Sequence, residues 1–273
     1  MRNMESEGAT EGYQGYSQKT VVGKEKDLEE YIFFESEYAF RFHFGKRRDW
    51  GGKVVDFGGR LGEKTRKIGN VTVVEIDGTA RKAMAGMGVQ CKERLDSFKD
   101  GEIDTIYCSH VLEHLETPLD YLRLFYRKLK PGGRLVMVLP TENQVFEPHG
   151  ELVDENGHIA VYNAMSAQTC IKRAGFENQG CRIIPFFPFI YIRLFERAGI
   201  PRNAKLALME MNLWIYGWSF ARMLAFTANG MCVVLANILF YLWSVALRKN
   251  GKKIVNTGEM LLMARKPPVA GAK

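Results

Sequence analysis

Short apolar runs alternate with segments of helical periodicity from residue 53 onward. Six of these runs have the length of a buried strand, and they lie at residues 53–57, 71–76, 104–108, 134–139, 180–184 and 259–264. Apolar residues at helical spacing predict helices over residues 28–43, 118–130 and 166–174, of which the second ends at Pro131, Gly132 and Gly133. Strands that alternate with helices are typical of a parallel sheet, so the pattern predicts an α/β protein.

Composition places this protein inside the cell. The 273 residues are 46% hydrophobic, enough for a buried core, and carry a net charge of +7. The five cysteines are scattered without a CxxC pair, which is typical of neither a disulfide framework nor a zinc finger. Residues 1–27 lack the apolar core of a signal peptide and predict a flexible tail. We therefore expect a cytoplasmic protein.

Residues 185–257 form a hydrophobic insertion before the last strand. Within it, residues 223–247 are uncharged, long enough to cross a bilayer. The last strand must return to the sheet, which favours a helical hairpin in one leaflet over a single crossing; a lid over an apolar pocket or a dimer interface is the alternative. From Arg182 to Lys253 there are ten basic residues and two acidic ones, a net charge of +8. This charge beside aromatic and aliphatic surface favours an anionic membrane over nucleic acid as partner.

The first predicted strand runs into a glycine-rich loop that contains Gly58, Gly59 and Gly62. Ligands bind at the carboxyl ends of strands in an open α/β sheet, where a helix N-terminus after the loop would supply free N–H groups. Glu75 ends the second strand, and its carboxylate can accept both ribose hydroxyls of an adenosine. Asp56 would attract an amino-bearing ligand and repel a pyrophosphate, which argues against NAD.

Two further motifs carry a family resemblance. Glu113, His114 and Leu115 open a predicted helix, and residues 129–133, Leu-Lys-Pro-Gly-Gly, precede the predicted strand at 134–139. With the glycine loop, they closely resemble class I S-adenosylmethionine-dependent methyltransferases over about residues 54–140. The resemblance implies a Rossmann-like, seven-stranded, mostly parallel sheet with helices on both faces, and S-adenosylmethionine as cofactor. It places the cofactor against Asp56, Phe57, Gly58, Gly59, Gly62, Glu75, Ile76 and Ser109. It also implies an adenine contact at residues 92–94, where we choose Glu93 although the sequence does not separate it from Lys92 and Arg94. The chain departs from the family at Arg60, where the middle glycine of the loop is expected.

Three histidines are candidate catalytic residues. His110, His114 and His158 could each act as general base on a hydroxyl acceptor, and the sequence does not choose among them. His110 and His114 also complete an H-x-x-E-H zinc pattern, but the surrounding βαβ order argues against a metalloprotease. A structural role for His114 is the alternative, and we predict no metal site.

These features predict three domain segments: the tail at 1–27, a methyltransferase domain at 28–184 and 258–266, and the insertion at 185–257. The predicted function is methyl transfer from S-adenosylmethionine to a lipid, quinone or lipid-linked glycan acceptor. The enzyme is expected to lie peripherally, or as a monotopic protein, at the cytoplasmic face of a membrane. The alternatives are a soluble small-molecule methyltransferase with a helical lid and an inactive, methyltransferase-like membrane adaptor. The sequence gives no oligomeric state.

Overall fold

A computed structural model describes residues 25–142, 158–185 and 256–268 of the chain. These ranges contain four α-helices and seven strands. In chain order they are α1 (Glu25–Phe42), β1 (Val54–Phe57), β2 (Val71–Val74), α2 (Gly78–Gly86), β3 (Cys91–Lys92), β4 (Ile103–Ser109), α3 (Pro118–Lys128), β5 (Leu129–Glu142), α4 (Ala164–Arg173), β6 (Glu177–Pro185) and β7 (Asn256–Arg265).

The seven strands form one sheet in the order β3-β2-β1-β4-β5-β7-β6. β1 is parallel to both of its neighbours, with Val54 opposite Val71 of β2 and opposite Thr105 of β4. β2 is parallel to β3, and β4 is parallel to β5. This architecture confirms the predicted Rossmann-like, seven-stranded, mostly parallel fold.

Strand β5 begins earlier than the sequence predicts. It starts at Leu129, directly after α3, and includes the Pro-Gly-Gly segment that was expected to separate helix from strand. The pairing with β4 absorbs this segment as an irregularity, since Ile103 lies opposite Leu129 whereas Thr105 lies opposite Arg134. The glycines therefore permit a bulge in the strand, because a bulge needs backbone conformations that other residues disfavour.

The connection from β1 to β2 contains no helix. The prediction of a helix N-terminus beside the glycine loop is therefore wrong. Residues 58–70 form successive turns. Gly58, Arg60 and Gly62 adopt positive φ angles of 69°, 49° and 66°, which a right-handed helix excludes. Any backbone amide that this loop offers to a ligand therefore comes from a turn.

Helix α1 packs through one face against the sheet domain. Its Tyr38, Ala39 and Phe42 are buried. Beyond the helix, the Phe44 ring contacts Tyr107 of β4, with centroids 4.8 Å apart. This confirms the helix predicted over residues 28–43, and its buried residues show that it packs on the domain.

The chain divides into two compact units. The first comprises residues 1–141, 149–184 and 258–273, and the second comprises residues 142–148 and 185–257. The second unit lies almost entirely outside the described residues, as does most of the predicted tail, so the insertion and the tail stay predictions. Within the described ranges no helix is long and apolar enough to span a bilayer.

Candidate active site

The carboxyl ends of β1, β2 and β4 bring the predicted cofactor residues to one edge of the sheet. Phe57, the last residue of β1, lies opposite Val74 of β2 and Cys108 of β4. The residues next to these positions, Glu75 and Ser109, therefore meet at the same edge as the glycine loop. In open parallel sheets this is the edge where ligands bind.

The loop glycines are required by close packing as well as by backbone conformation. A Cβ atom at Gly58 would lie 2.4 Å from a Val111 methyl carbon, and one at Gly59 would lie 2.5 Å from the carboxyl carbon of Asp56. Both distances are far shorter than a carbon–carbon contact allows. The loop therefore lies directly on Asp56 and on the turn after β4.

Arg60 replaces a glycine of the family loop and keeps the glycine conformation, with a φ of 49°. Its guanidinium contacts two side chains: it donates to the Tyr31 hydroxyl at 2.6 Å and pairs with Glu63 at 3.0 Å. It also lies over the Tyr31 ring, 5.1 Å from the centroid. These contacts hold the side chain where a non-glycine residue is strained, and they join the loop to α1.

Glu75 is buried, and two backbone amides hold its carboxylate. The Arg60 amide donates to Oε2 and the Asp77 amide donates to Oε1, each at 2.9 Å. Burial raises the pKa of Glu75, and these two hydrogen bonds partly oppose the rise. The loop conformation and the orientation of the predicted ribose-binding carboxylate are thus coupled through one residue, Arg60.

Asp56 lies behind the glycine loop and is almost fully buried. Burial raises the pKa of this carboxyl from 3.8 to about 7, although the Thr65 hydroxyl donates to Oδ2 at 2.7 Å and lowers it. Asp56 therefore titrates near neutral pH, and a cation bound nearby would favour its ionised form.

Lys64 brings a cation into this edge that the sequence analysis missed. Its Nζ donates to the Ser109 hydroxyl at 2.9 Å. Burial alone would lower the pKa of Lys64, but the carboxylates of Glu259, Glu35, Glu63 and Asp56 together raise it. The Lys64 ammonium, which is partly buried, therefore lies among several acids at this edge.

His110 is held by Glu259, whose Oε1 lies 2.7 Å from the His110 Nε2. Its Nδ1 lies 3.5 Å from the Glu113 carboxylate. Burial and Lys64 lower the pKa of His110, but the nearby carboxylates of Glu113 and Glu259 raise it above its ordinary value. His110 also has a positive φ of 55°, an uncommon conformation for a residue with a side chain.

Glu259 joins His110 to His43, whose side chain is fully buried. Its Oε2 accepts from the Tyr38 hydroxyl at 2.8 Å and lies 2.9 Å from His43 Nε2. The other His43 nitrogen lies 2.7 Å from the Tyr107 hydroxyl. Despite burial, the two histidines hold the pKa of Glu259 well below its usual range. Residues from α1, β4 and β7 thereby form one polar network under the site.

The other two predicted histidines lie together, and His158 Nε2 lies 4.0 Å from the same Glu113 oxygen that His110 approaches. The rings of His114 and His158 meet edge to face, with centroids 4.7 Å apart. His114 ends a short turn, Leu112–His114, where the H-x-x-E-H interpretation requires an α-helix. His110, in contrast, has its ring held by the Glu259 carboxylate at hydrogen-bond distance, 2.7 Å.

The remaining predicted cofactor residues lie around this edge. Ile76 is 40% exposed beside Glu75, as a surface for a ligand ring would require. Glu93 follows β3 and pairs with Arg81 at 3.2 Å, and Arg81 also donates to the Ile76 carbonyl. The partly buried Phe57 ring packs against the core residue Phe125, with centroids 4.9 Å apart.

Comparison with known proteins gives the family. A sequence profile of methyltransferase domains matches residues 33–179, more than half of the chain. The chain is 34% identical over 101 residues to the ubiquinone biosynthesis O-methyltransferase of Xanthomonas euvesicatoria pv. vesicatoria, covering 32% of this chain and 42% of that protein. It is 32% identical over 128 residues to a ubiquinone/menaquinone biosynthesis C-methyltransferase of Cronobacter sakazakii, covering 40% of this chain and 50% of the relative.

Among solved structures, the cyclase SpnF superposes with a TM-score of 0.51 at 17% identity, covering 87% of this chain and 82% of that chain. This likeness shows the fold alone.

The chain belongs to the methyltransferase domain family. This membership confirms the predicted class, an S-adenosylmethionine-dependent methyltransferase, and its predicted cofactor. The chain spans about two fifths to one half of the length of these two curated relatives.

Proposed function

We propose that this protein transfers a methyl group from S-adenosylmethionine to an oxygen of a small apolar acceptor, such as a quinol, at a membrane surface. The observation that carries the proposal is the carboxylate of Glu75, buried at the end of β2 and fixed by two backbone amides, one of them from the glycine loop. A carboxylate held there is preorganised to accept hydrogen bonds from a ribose.

The charges at the sheet edge fit this cofactor. Asp56, Glu75 and Glu63 are buried carboxylates close to the loop. Acids favour the cationic sulfonium and amino groups of S-adenosylmethionine and disfavour the pyrophosphate of a dinucleotide. Gly58 and Gly59 would let the ligand approach the loop backbone, Ile76 and Glu93 would lie toward its adenine, and Ser109 toward its amino acid end. When bound, the cofactor supplies an electrophilic methyl group.

His110 is the residue that we propose as general base. Glu259 binds one ring nitrogen, which fixes the orientation and tautomer of the imidazole, the usual arrangement for a histidine that accepts a proton from a substrate. Its place directly after Ser109 puts it beside the proposed cofactor position. The proton of an acceptor hydroxyl would move to Nδ1, the ring nitrogen that Glu259 does not hold, as the oxygen attacks the methyl group.

The acceptor class rests on two supports. Two of the relatives act in ubiquinone biosynthesis, one as an O-methyltransferase and one as a C-methyltransferase, so carbon remains an alternative to oxygen. The insertion at 185–257 combines an uncharged run with the +8 charge of residues 182–253, as expected for a segment that contacts an anionic leaflet. A quinone, another lipid or a lipid-linked glycan would be presented from such a surface.

The test is methyl transfer from radiolabelled S-adenosylmethionine to polyprenylated hydroxyquinols and to the same rings without the prenyl chain. We expect product from the prenylated acceptors in vesicles, and less product with Glu75→Ala when S-adenosylmethionine is limiting. Calorimetry with S-adenosylhomocysteine, run in parallel, distinguishes an inactive adaptor from an enzyme given the wrong acceptor. Binding without turnover on any lipid or quinol extract would contradict the enzymatic proposal.

A further inference from the structure

Three metal-binding side chains lie together beside the turn that follows β4. The ligand atoms of Glu113, His114 and His158 all lie within 4.8 Å of one another. The backbone holds them there, since the amides of Ile159 and Ala160 both donate to the Glu113 carbonyl, at 2.9 and 3.1 Å. Residues far apart in the chain are thus joined at one point, between the sheet edge and the start of α4.

The Glu113 carboxylate is buried without the hydrogen bonds that a buried charge normally has. Its side chain is fully buried, and neither oxygen has a hydrogen-bond partner. Oε1 has two imidazole neighbours at longer distance, His110 Nδ1 at 3.5 Å and His158 Nε2 at 4.0 Å. Buried carboxylates are normally hydrogen-bonded, paired or bound to a metal.

We propose that Glu113, His114 and His158 bind one divalent transition-metal ion of the Zn²⁺ type. Two imidazole nitrogens and one carboxylate oxygen are a donor set suited to Zn²⁺, and three protein ligands leave a coordination position for water or another oxygen ligand. Metal-to-ligand distances of about 2.0 to 2.2 Å place such donors roughly 3 to 3.5 Å apart. Small rotations of the side chains close the cluster around an ion.

This site departs from our sequence interpretation in two ways. We predicted no metal, and the rejected H-x-x-E-H interpretation used His110 and His114 on a helix. In the structure Glu259 holds His110, and His158 supplies the second imidazole from a segment that the motif does not include. The ion would fix the position of residue 158 relative to β4.

The experiment uses the full chain, stripped with a chelator and titrated with Co²⁺, whose visible absorption reports imidazole and carboxylate ligation. We expect one equivalent of Co²⁺ with the absorption of a four- or five-coordinate ion, displaced by one equivalent of Zn²⁺. Glu113→Gln, His114→Ala and His158→Ala should each weaken binding at least about tenfold. Glu116→Gln removes an exposed carboxylate three residues from Glu113 and should leave binding unchanged.

Circular dichroism of each stripped variant separates loss of a ligand from loss of the fold. If Glu113→Gln fails to fold, it is replaced by His158→Asn, which keeps a polar side chain at that position. Weak Co²⁺ binding that is equal in wild type and His158→Ala would overturn the proposal, as would the absence of any ligand-field absorption. Because neither cofactor nor acceptor is present, the result is independent of the proposed methyl transfer.

Discussion

Glu259 binds the imidazole of His110 across a separation of 149 residues, at 2.7 Å. The carboxylate belongs to β7 and the histidine to the turn after β4, so the pair exists only in the assembled sheet. Its other carboxylate oxygen is occupied by Tyr38 and His43. This saturation fixes the carboxylate itself, and through it the ring of the proposed base.

Removing this base should affect turnover and leave cofactor binding intact. We expect His110→Ala to slow methyl transfer by about 10² to 10⁴ fold, the usual contribution of a general base, with an unchanged Kd for S-adenosylmethionine. Single-turnover kinetics and calorimetry measure the two quantities. His114→Ala is the comparison at a neighbouring histidine, and equal rates for His110→Ala and wild type would remove His110 from the mechanism.

Replacing Glu75 should weaken binding of the cofactor. Glu75→Ala leaves the Arg60 and Asp77 amides and the ribose hydroxyls without their acceptor, which costs about 1 to 3 kcal/mol. Calorimetry with S-adenosylmethionine should show this loss, and Glu116→Gln should bind as wild type does. NADH should not bind to either protein. An unchanged affinity in Glu75→Ala would show that the ribose lies elsewhere.

Backbone strain at Arg60 can be tested by comparing the stability of the Arg60→Gly and Arg60→Ala variants. At ordinary positions Gly is less stable than Ala, but a residue with a φ of 49° is strained unless it is Gly. Both Arg60→Gly and Arg60→Ala lose the contacts with Tyr31 and Glu63. We therefore expect Arg60→Gly to be the more stable of the two by about 1 to 2 kcal/mol. Urea unfolding measures the difference, and the opposite order would contradict the loop conformation.

Asp56 should make stability depend on pH. Its pKa is higher in the folded chain, about 7 against 3.8, so the stability that its protonated form contributes is fully present below pH 3.8 and is lost as the pH rises toward 7. Asp56→Asn removes this dependence. Relative to wild type, the variant should gain up to about 4 kcal/mol between about pH 4 and about pH 8. Parallel unfolding curves at all pH values would show that Asp56 ionises normally.

The insertion should bind anionic membranes through both charge and apolar surface. Each Lys or Arg near the surface adds about 1 kcal/mol of attraction, and salt screens that part alone. In liposome flotation we expect stronger binding with anionic lipid and only partial release by high salt. Replacing Arg248, Lys249, Lys252 and Lys253 with Gln should reduce binding. If the wild type does not bind liposomes of any composition, the insertion forms a lid or a dimer interface instead.

The fold could be predicted because its signals are local. Strand lengths, the helix over 118–130 and the glycine loop are all visible in short windows, and the parallel sheet follows from their alternation. The absence of a helix after β1 could not be predicted in this way. Arg60 adopts a positive φ angle that is typical of glycine, and its residue type does not indicate this conformation. Only its φ of 49° shows why the chain turns there.

The site was harder to predict than the fold because its partners are distant in sequence. Asp56 and Glu75 follow from their places at strand ends. Glu259 and His43 lie 216 residues apart, and no motif links them. No short motif marks Lys64 as a site residue, and its contact with Ser109 depends on the turns that replace the expected helix.

The place of β7 in the sheet sets an order of events during synthesis. β7 pairs between β5 and β6 although it follows both in the chain. Until residues 256–265 leave the ribosome, β6 lacks its neighbour in the sheet and β5 exposes an edge, a state that invites pairing with other chains. Strand β7 also brings Glu259 into contact with His43 and His110. Closing the sheet and assembling the proposed base are therefore one step, and an interrupted chain has neither.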